Sequence, residues 1–233
     1  MVQARLHGGG PLLSVGPTVQ RYLAEIYRLE LEHDAVTMPM VADVLQISVQ
    51  AVSRMIRQLA EDGWLEHEPY RGVRLTPAGQ QVALQAIRRH RIVEVFFVQV
   101  MKFGWDVVHD MIEPLEGGIS DVVLERMFEL TGQPVHCPHG EPIPTRDGVM
   151  PRIEDGPLSQ AAPGSISRVS RVRTHDPEKL RYLAEMGMVP DAPITVVGHG
   201  RFEGPVRVLL GGQEQLLGFE LANQIHILST PQP

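Results

Sequence analysis

The chain has 233 residues, 43% of them hydrophobic, which suits ordinary buried cores and a division into two or three small domains. A net charge of −7 sits awkwardly with nucleic-acid binding, so any such contact depends on where the 21 basic residues lie. No apolar run approaches the length of a membrane span, and the single cysteine, Cys137, excludes an internal disulfide framework and fits a reducing, cytoplasmic compartment.

Residues 1–16 lack the apolar centre of a signal peptide and read as a disordered lead-in. From Pro17, the residues Tyr22, Leu23, Ile26, Tyr27 and Leu29 recur at helical spacing and predict an amphipathic helix ending near His33 and Asp34. Thr37 is placed to cap a short helix over residues 40–45. After a turn at Gln46 and Ile47, Ser48 is placed to cap the next helix, from residue 49 to about 62. That helix has a buried stripe of Val52, Met55, Ile56 and Leu59. Its opposite face carries Gln50, Ser53, Arg54, Arg57 and Gln58, a helix-turn-helix arrangement. Strand-like runs at 64–68 and 72–75 flank the turn Pro69-Tyr70-Arg71-Gly72 and form a wing with Arg71 at its tip. Thr76 and Pro77 open another helix. Residues 17–78 therefore read as a winged helix-turn-helix. A generic helical bundle with a hairpin, or a helix-turn-helix used for protein contacts, is the plainer alternative.

The exposed polar residues suggest roles in binding double-stranded DNA. Arg54 can bond bidentately to guanine, Gln50 to adenine, and Ser53 to base edges or phosphate. Arg57 and Arg71 suit phosphates, which position a protein without reading sequence. Ser48 completes the set of DNA-contact candidates, while Gln58 reads as a solvated surface residue.

Two His/Glu patterns follow. His90 and Glu94 stand four apart in a helix whose apolar residues are Val93, Phe96, Phe97 and Val100. After a break at Phe103-Gly104-Trp105, His109, Glu113 and Glu116 recur on a helix with Val108, Ile112 and Leu115. Residues one turn apart share a helix face, so these imidazoles and carboxylates point toward packed surface. Such groups are costly to bury unless they pair or bind a cation. If the two helices cross, the nitrogen and oxygen donors suit a divalent first-row metal; two half-buried ion pairs are the bland reading.

These features together resemble the diphtheria toxin repressor family of iron- and manganese-dependent transcriptional regulators. The resemblance is carried by the run Arg-Gly-Val-Arg-Leu-Thr-Pro-Ala-Gly ending the wing, by Arg89-His90-Arg91-Ile92-Val93-Glu94, and by His109-Asp110-Met111-Ile112-Glu113. The segment from Cys137 through Pro138, Gly140, Pro142 and Ile143 to Pro144 is similar to one closing the family's dimerisation domain. The motifs occur in family order and span nearly the whole chain. The resemblance implies a homodimer that binds a palindromic operator when loaded with metal. By position it implies one site from His90, Glu94 and His109, and a second from Glu113, Glu116 and a first-helix residue. The first-helix position here is Arg21, which cannot ligate a metal, and the family's usual histidine after Glu116 is Gly117. The second site is thus lost, rebuilt, or replaced by an Arg21–Glu116 ion pair, and one site around His90, Glu94, His109 and Glu113 is expected. A sulfur-free set suits Mn(II) first and Fe(II) second. His136, Cys137 and His139, packed among prolines, read as loop structure rather than a zinc knuckle.

Residues 118–132 predict a further amphipathic helix capped by Ser120, which with the His90 helix would supply the dimer interface. Residues 79–145 then make a helical metal-binding and dimerisation domain. The Pro- and Gly-rich stretch 146–164 reads as a linker. Residues 165–233 read as a β-rich domain, with strands at 166–173, 194–197, 206–210, 216–219 and 225–228 and a helix at 177–186. This is similar to the family's SH3-like domain, a small β-barrel, and to the small ferrous-transport accessory protein; the resemblance adds His175 and Glu178 as metal-ligand candidates. The expected fold is mainly α with β. A metallohydrolase is disfavoured because His-Glu-x-x-His is missing. A winged-helix regulator of an organic ligand, with a structural His/Glu cluster, is the alternative function.

Overall fold

A computed structural model describes residues 15–68 and 72–228. Three helices and a hairpin come first: α1 Pro17–Glu30, α2 Met38–Leu45, α3 Val49–Glu61, β1 Leu65–Glu68 and β2 Gly72–Leu75. Proline in the first turn of α1 and α2 removes an amide that a helix start leaves unpaired anyway. The apolar stripe of α1 runs out at Leu29, so the helix stops at Glu30 rather than near His33, and residues 31–33 are exposed. Thr37 stands at the N-cap of α2 without a capping side-chain bond, whereas the Ser48 hydroxyl accepts the Ala51 N–H at 3.2 Å and starts α3. Tyr22, Leu23, Ile26, Val41, Leu45, Val52, Ile56, Leu59 and Leu65 lie in one buried cluster.

The hairpin is pinned to the loop after α1. The Val73 N–H donates to Val36 O at 2.9 Å, and Leu75 N–H donates to the Glu30 carboxylate at 2.7 Å. Gly72 has φ +92°, and a Cβ there would meet Val36 O at 2.3 Å, so the close approach requires glycine. The turn carrying Arg71, and residues 1–14 of the expected lead-in, lie outside the described residues.

The described residues divide into two units, one ending at Arg89 and including Pro144–Met150, the other comprising His90–Ile143 and the chain from Pro151. Helix α4, Pro77–Gln99, is continuous through the boundary. Residues 87–95 are buried all round; among them His90 pairs with Glu94 and Arg91 with Glu141, each at 3.1 Å, while Arg88 donates to Pro144 O at 3.0 Å.

In the second unit, α5 (Val108–Glu116) and α6 (Asp121–Leu130) share a core with the end of α4, built from Ile92, Val93, Val95, Val108, Ile112, Leu124 and Ile143. Ser120 precedes α6 but makes no capping bond. The remainder is an antiparallel six-stranded sheet in the order β3-β8-β4-β5-β6-β7, with α7 (Pro177–Glu185) and α8 (Phe219–Gln224). Its strands are β3 Asp155–Pro157, β4 Ile166–Val172, β5 Pro193–His199, β6 Val206–Leu210, β7 Gln213–Leu217 and β8 Ile225–Leu228.

Besides the end of α1, two elements differ from the sequence expectation. Within the stretch read as linker, β3 pairs with β8 and the following 3-10 turn buries Leu158 completely. Three residues are too few to show a period, and Pro157 masks the strand. The strand expected at 216–219 is β7, which ends at Leu217, and Phe219 opens α8. Among the described residues no helix is long and apolar enough to cross a membrane.

Candidate metal centre and nucleic-acid face

Helical spacing puts Glu94 one turn beyond His90, and both are buried, Glu94 to 1% exposure. Helix α5 is held by Val108 and Ile112, each fully buried, and their packing carries the intervening His109 toward α4. His90 Nε2 lies 3.1 Å from Glu94 Oε1 and 3.0 Å from His109 Nδ1, and His109 Nδ1 lies 3.5 Å from the same carboxylate oxygen. Ligand bonds of about 2.1 Å at angles between octahedral and tetrahedral put donor atoms about 3.0–3.4 Å apart, so the three atoms fit around one divalent ion.

A second group shares Glu94. Cys137 and His139, both buried, bring Sγ and Nδ1 near its carboxylate, with His139 Nδ1 3.7 Å from Glu94 Oε1 and 4.0 Å from the sulfur. By sequence alone Cys137 and His139 read as loop structure with His136, because a Cys-Pro-His-Gly turn says nothing of the glutamate it will meet. The available signal was the close spacing of the two donors. His136, the third member of the sequence-level triplet, is exposed and outside both groups.

Hydrogen bonds on the far nitrogens orient both rings. His90 Nδ1–H donates to Glu116 Oε2 at 2.8 Å, and His139 Nε2–H donates to Trp105 O at 2.8 Å. Each bond leaves the other nitrogen facing Glu94. Burial alone would lower the His90 pKa, but Glu94 and the Glu116 bond outweigh it and raise it to about 9. Burial likewise disfavours charge on His139, yet the Cys137 bond and Glu94 lift it to about 10. Burial opposes charge on Glu94 too, but His90, His109 and His139 hold its carboxyl well below the usual range. Burial and Glu94 push the Cys137 thiol up. Imidazolium charge on His90 and His139 thus offsets the buried Glu94 carboxylate.

The remaining metal candidates fall in three places. Glu116 backs His90 rather than joining either donor group. Glu113 and Glu178 are exposed and also lie outside both groups. His175 stacks on His109, with ring centroids 3.9 Å apart and planes 11° from parallel, and meets His139 edge-on at 5.6 Å.

On α3, Gln50, Arg54 and Arg57 are exposed together and Ser53 is half-buried. The Ser48 hydroxyl is engaged as the cap. One helix face therefore presents two guanidinium groups and an amide, donors suited to guanine, adenine and phosphate edges. Arg71 lies outside the described residues.

Comparisons with known proteins cover nearly the same span. Residues 14–73 match the iron dependent repressor N-terminal DNA binding domain, residues 76–145 the iron dependent repressor metal binding and dimerisation domain, and residues 156–228 the FeoA domain. The iron-dependent repressor IdeR of Mycobacterium leprae is 27% identical over 90% of this chain and 96% of its own. A solved manganese-dependent transcriptional repressor in complex with manganese superposes with a TM-score of 0.86 at 34% identity, over 91% of this chain and all of that one. ScaR with bound Zn2+ superposes with a TM-score of 0.79 at 28% identity, over 91% and 99%.

Proposed function

The chain belongs to the iron-dependent repressor family of DNA-binding transcriptional regulators, and from that premise we propose that it is a cytoplasmic homodimeric repressor of metal-uptake genes whose operator binding requires Mn(II), with Fe(II) as the second choice. The observation that carries the reading is the approach of His90 Nε2, Glu94 Oε1 and His109 Nδ1 within 3.5 Å of one another across α4 and α5. Two imidazoles and a carboxylate suit Mn(II) and Fe(II). Cys137 and His139 form a second donor group on Glu94, and the ring of His175 lies against His109. Residues 17–78 form the DNA-binding domain of the proposal, 79–145 the metal-binding and dimerisation domain, and the SH3-like domain begins at β3, inside the stretch 146–164 read as a linker, so the connection ends before Asp155. Gln50, Ser53 and Arg54 read base edges; Ser48, Arg57 and Arg71 position the phosphates.

His90 and Glu94 on α4 and His109 on α5 would hold the cation, which would supply positive charge between the two helices. His90 and Glu94 lie on the helix that begins directly after the wing, so a cation joining α4 to α5 would change the free energy of the DNA-competent dimer. Calorimetric titration of chelated protein with Mn(II), and anaerobically with Fe(II), is paired with selection of DNA from a random pool with and without metal. Saturable Mn(II) binding with metal-dependent enrichment of a palindromic sequence supports the proposal. Equal enrichment in chelator overturns it.

A further inference from the structure

The turn that carries Cys137 and His139 is joined to the sheet by three contacts outside the donor groups. Val172 N–H, at the end of β4, donates to His139 O at 2.8 Å. Gly140, at φ +85°, lies so close to β4 that a Cβ would meet Ser170 O at 2.1 Å and the Arg171 Cα at 2.8 Å. Glu141 then ties helix and sheet together, at 3.1 Å from Arg91 Nη2 on α4 and 3.3 Å from Arg171 Nη1 on β4, while Arg171 Nε lies 2.9 Å from Asp155 on β3. His175 follows Val172 by three residues, and its ring rests on His109.

We propose that Gly140 and the Arg91–Glu141–Arg171–Asp155 chain of ion pairs are positioning residues that clamp β4 to the metal-ligand turn and so hold His175 over the His109–His139 cluster. The inference rests on the metal-centre reading above. None of these five residues belongs to a donor group, and each acts through another. Gly140 sets the distance of closest approach, since backbone cannot yield to a Cβ as a side chain end can. The charged chain sets direction: Glu141 faces Arg91 from the helix, Arg171 from the strand and, at 3.7 Å, Arg173 just beyond its end. A strand docked at Val172 leaves only two residues of freedom before His175, so the imidazole is confined before any cation arrives.

The test uses the full chain with the variants Gly140→Ala, Glu141→Gln, Arg171→Met, Arg171→Lys and His175→Ala, and the double variant of Gly140→Ala with His175→Ala. In metal-free protein, hydrogen exchange of the Val172 amide reads the docking directly. The clamp predicts slow exchange in the wild type and exchange at least about tenfold faster in Gly140→Ala and Arg171→Met, with Arg171→Lys restored toward wild type. Co(II) titration reads the centre by calorimetry and by the visible ligand-field spectrum. Gly140→Ala and His175→Ala are each expected to weaken binding about tenfold and to alter the spectrum alike, and their combination to weaken it no further.

Additive losses in the double variant, or an unchanged Co(II) spectrum in Gly140→Ala with Val172 undocked, overturn the positioning role. Glu141→Gln and Arg171→Met leave the backbone unstrained, so they decide the matter if Gly140→Ala fails to fold. A wild type that takes up no Co(II) or Mn(II), yet protects Val172, overturns the metal-centre reading and the positioning role with it. A wild type that binds metal while Val172 exchanges freely overturns the clamp alone.

Discussion

Glu116 accepts a hydrogen bond from Nδ1 of His90 at 2.8 Å, the nitrogen opposite the one that meets Glu94. A carboxylate in that position fixes the tautomer and raises the basicity of the other nitrogen. Glu116→Ala is expected to weaken Mn(II) binding about 10- to 100-fold without removing a donor atom. Calorimetry beside His90→Ala, which should abolish binding, separates the two roles; equal losses would make Glu116 a ligand instead.

His109→Ala removes a donor that is only half-buried, so the core around Val108 and Ile112 stays filled. The expected outcome is a folded dimer that no longer gains DNA affinity on adding Mn(II), measured by sedimentation and by fluorescence anisotropy of labelled operator. A normal metal response would remove His109 from the site.

Arg54 stands exposed on α3, far in sequence from the metal cluster and placed to bond a guanine bidentately. Arg54→Ala should cost about 1–3 kcal/mol of specific DNA binding and leave metal affinity unchanged. Competition with scrambled DNA distinguishes lost base reading from lost phosphate contact, which would weaken both sequences equally.

Ile112 is fully buried and anchors the helix that carries His109. Truncation to alanine should lower stability by about 2–5 kcal/mol and also weaken metal binding, because α5 then loses its hold on α4. Chemical denaturation of the metal-free protein measures the first effect, and metal titration under native conditions the second.

Burial disfavours charge on Asp155, but bonds from His226 and Ser170 and the Arg171 charge more than reverse this and lower its pKa to about 2. A carboxyl depressed on folding contributes stability that is present above its unfolded pKa, near 4, and is lost as pH falls through about 2. Asp155→Asn should therefore cost about 1–2 kcal/mol at neutral pH, after allowing for solvent screening, and the cost should vanish only below about pH 2. Urea unfolding at several pH values checks this; a pH-independent difference would place the loss in packing rather than charge.

Much of the fold was legible because its signals are local. The stripe Val52, Ile56 and Leu59 shows α3 without any partner, and the Ser48 cap precedes it by one residue. The pairing of His90 with Glu94 follows from helical spacing alone. The short β3 was not legible, since its strand character comes from pairing with β8 some seventy residues later rather than from a period of its own.

The sequence by itself determined the helix-turn-helix, the wing strands, the two His/Glu helices and the β-rich C-terminal part, because hydrophobic period and capping act within a few residues. Tertiary structure decided which nitrogen of His90 and of His139 faces Glu94, that Glu116 stands behind His90, and that a Cys-Pro-His-Gly turn arrives at a helix residue far upstream. Those choices depend on packing between distant segments, where burying a carboxylate demands partners that no local spacing names.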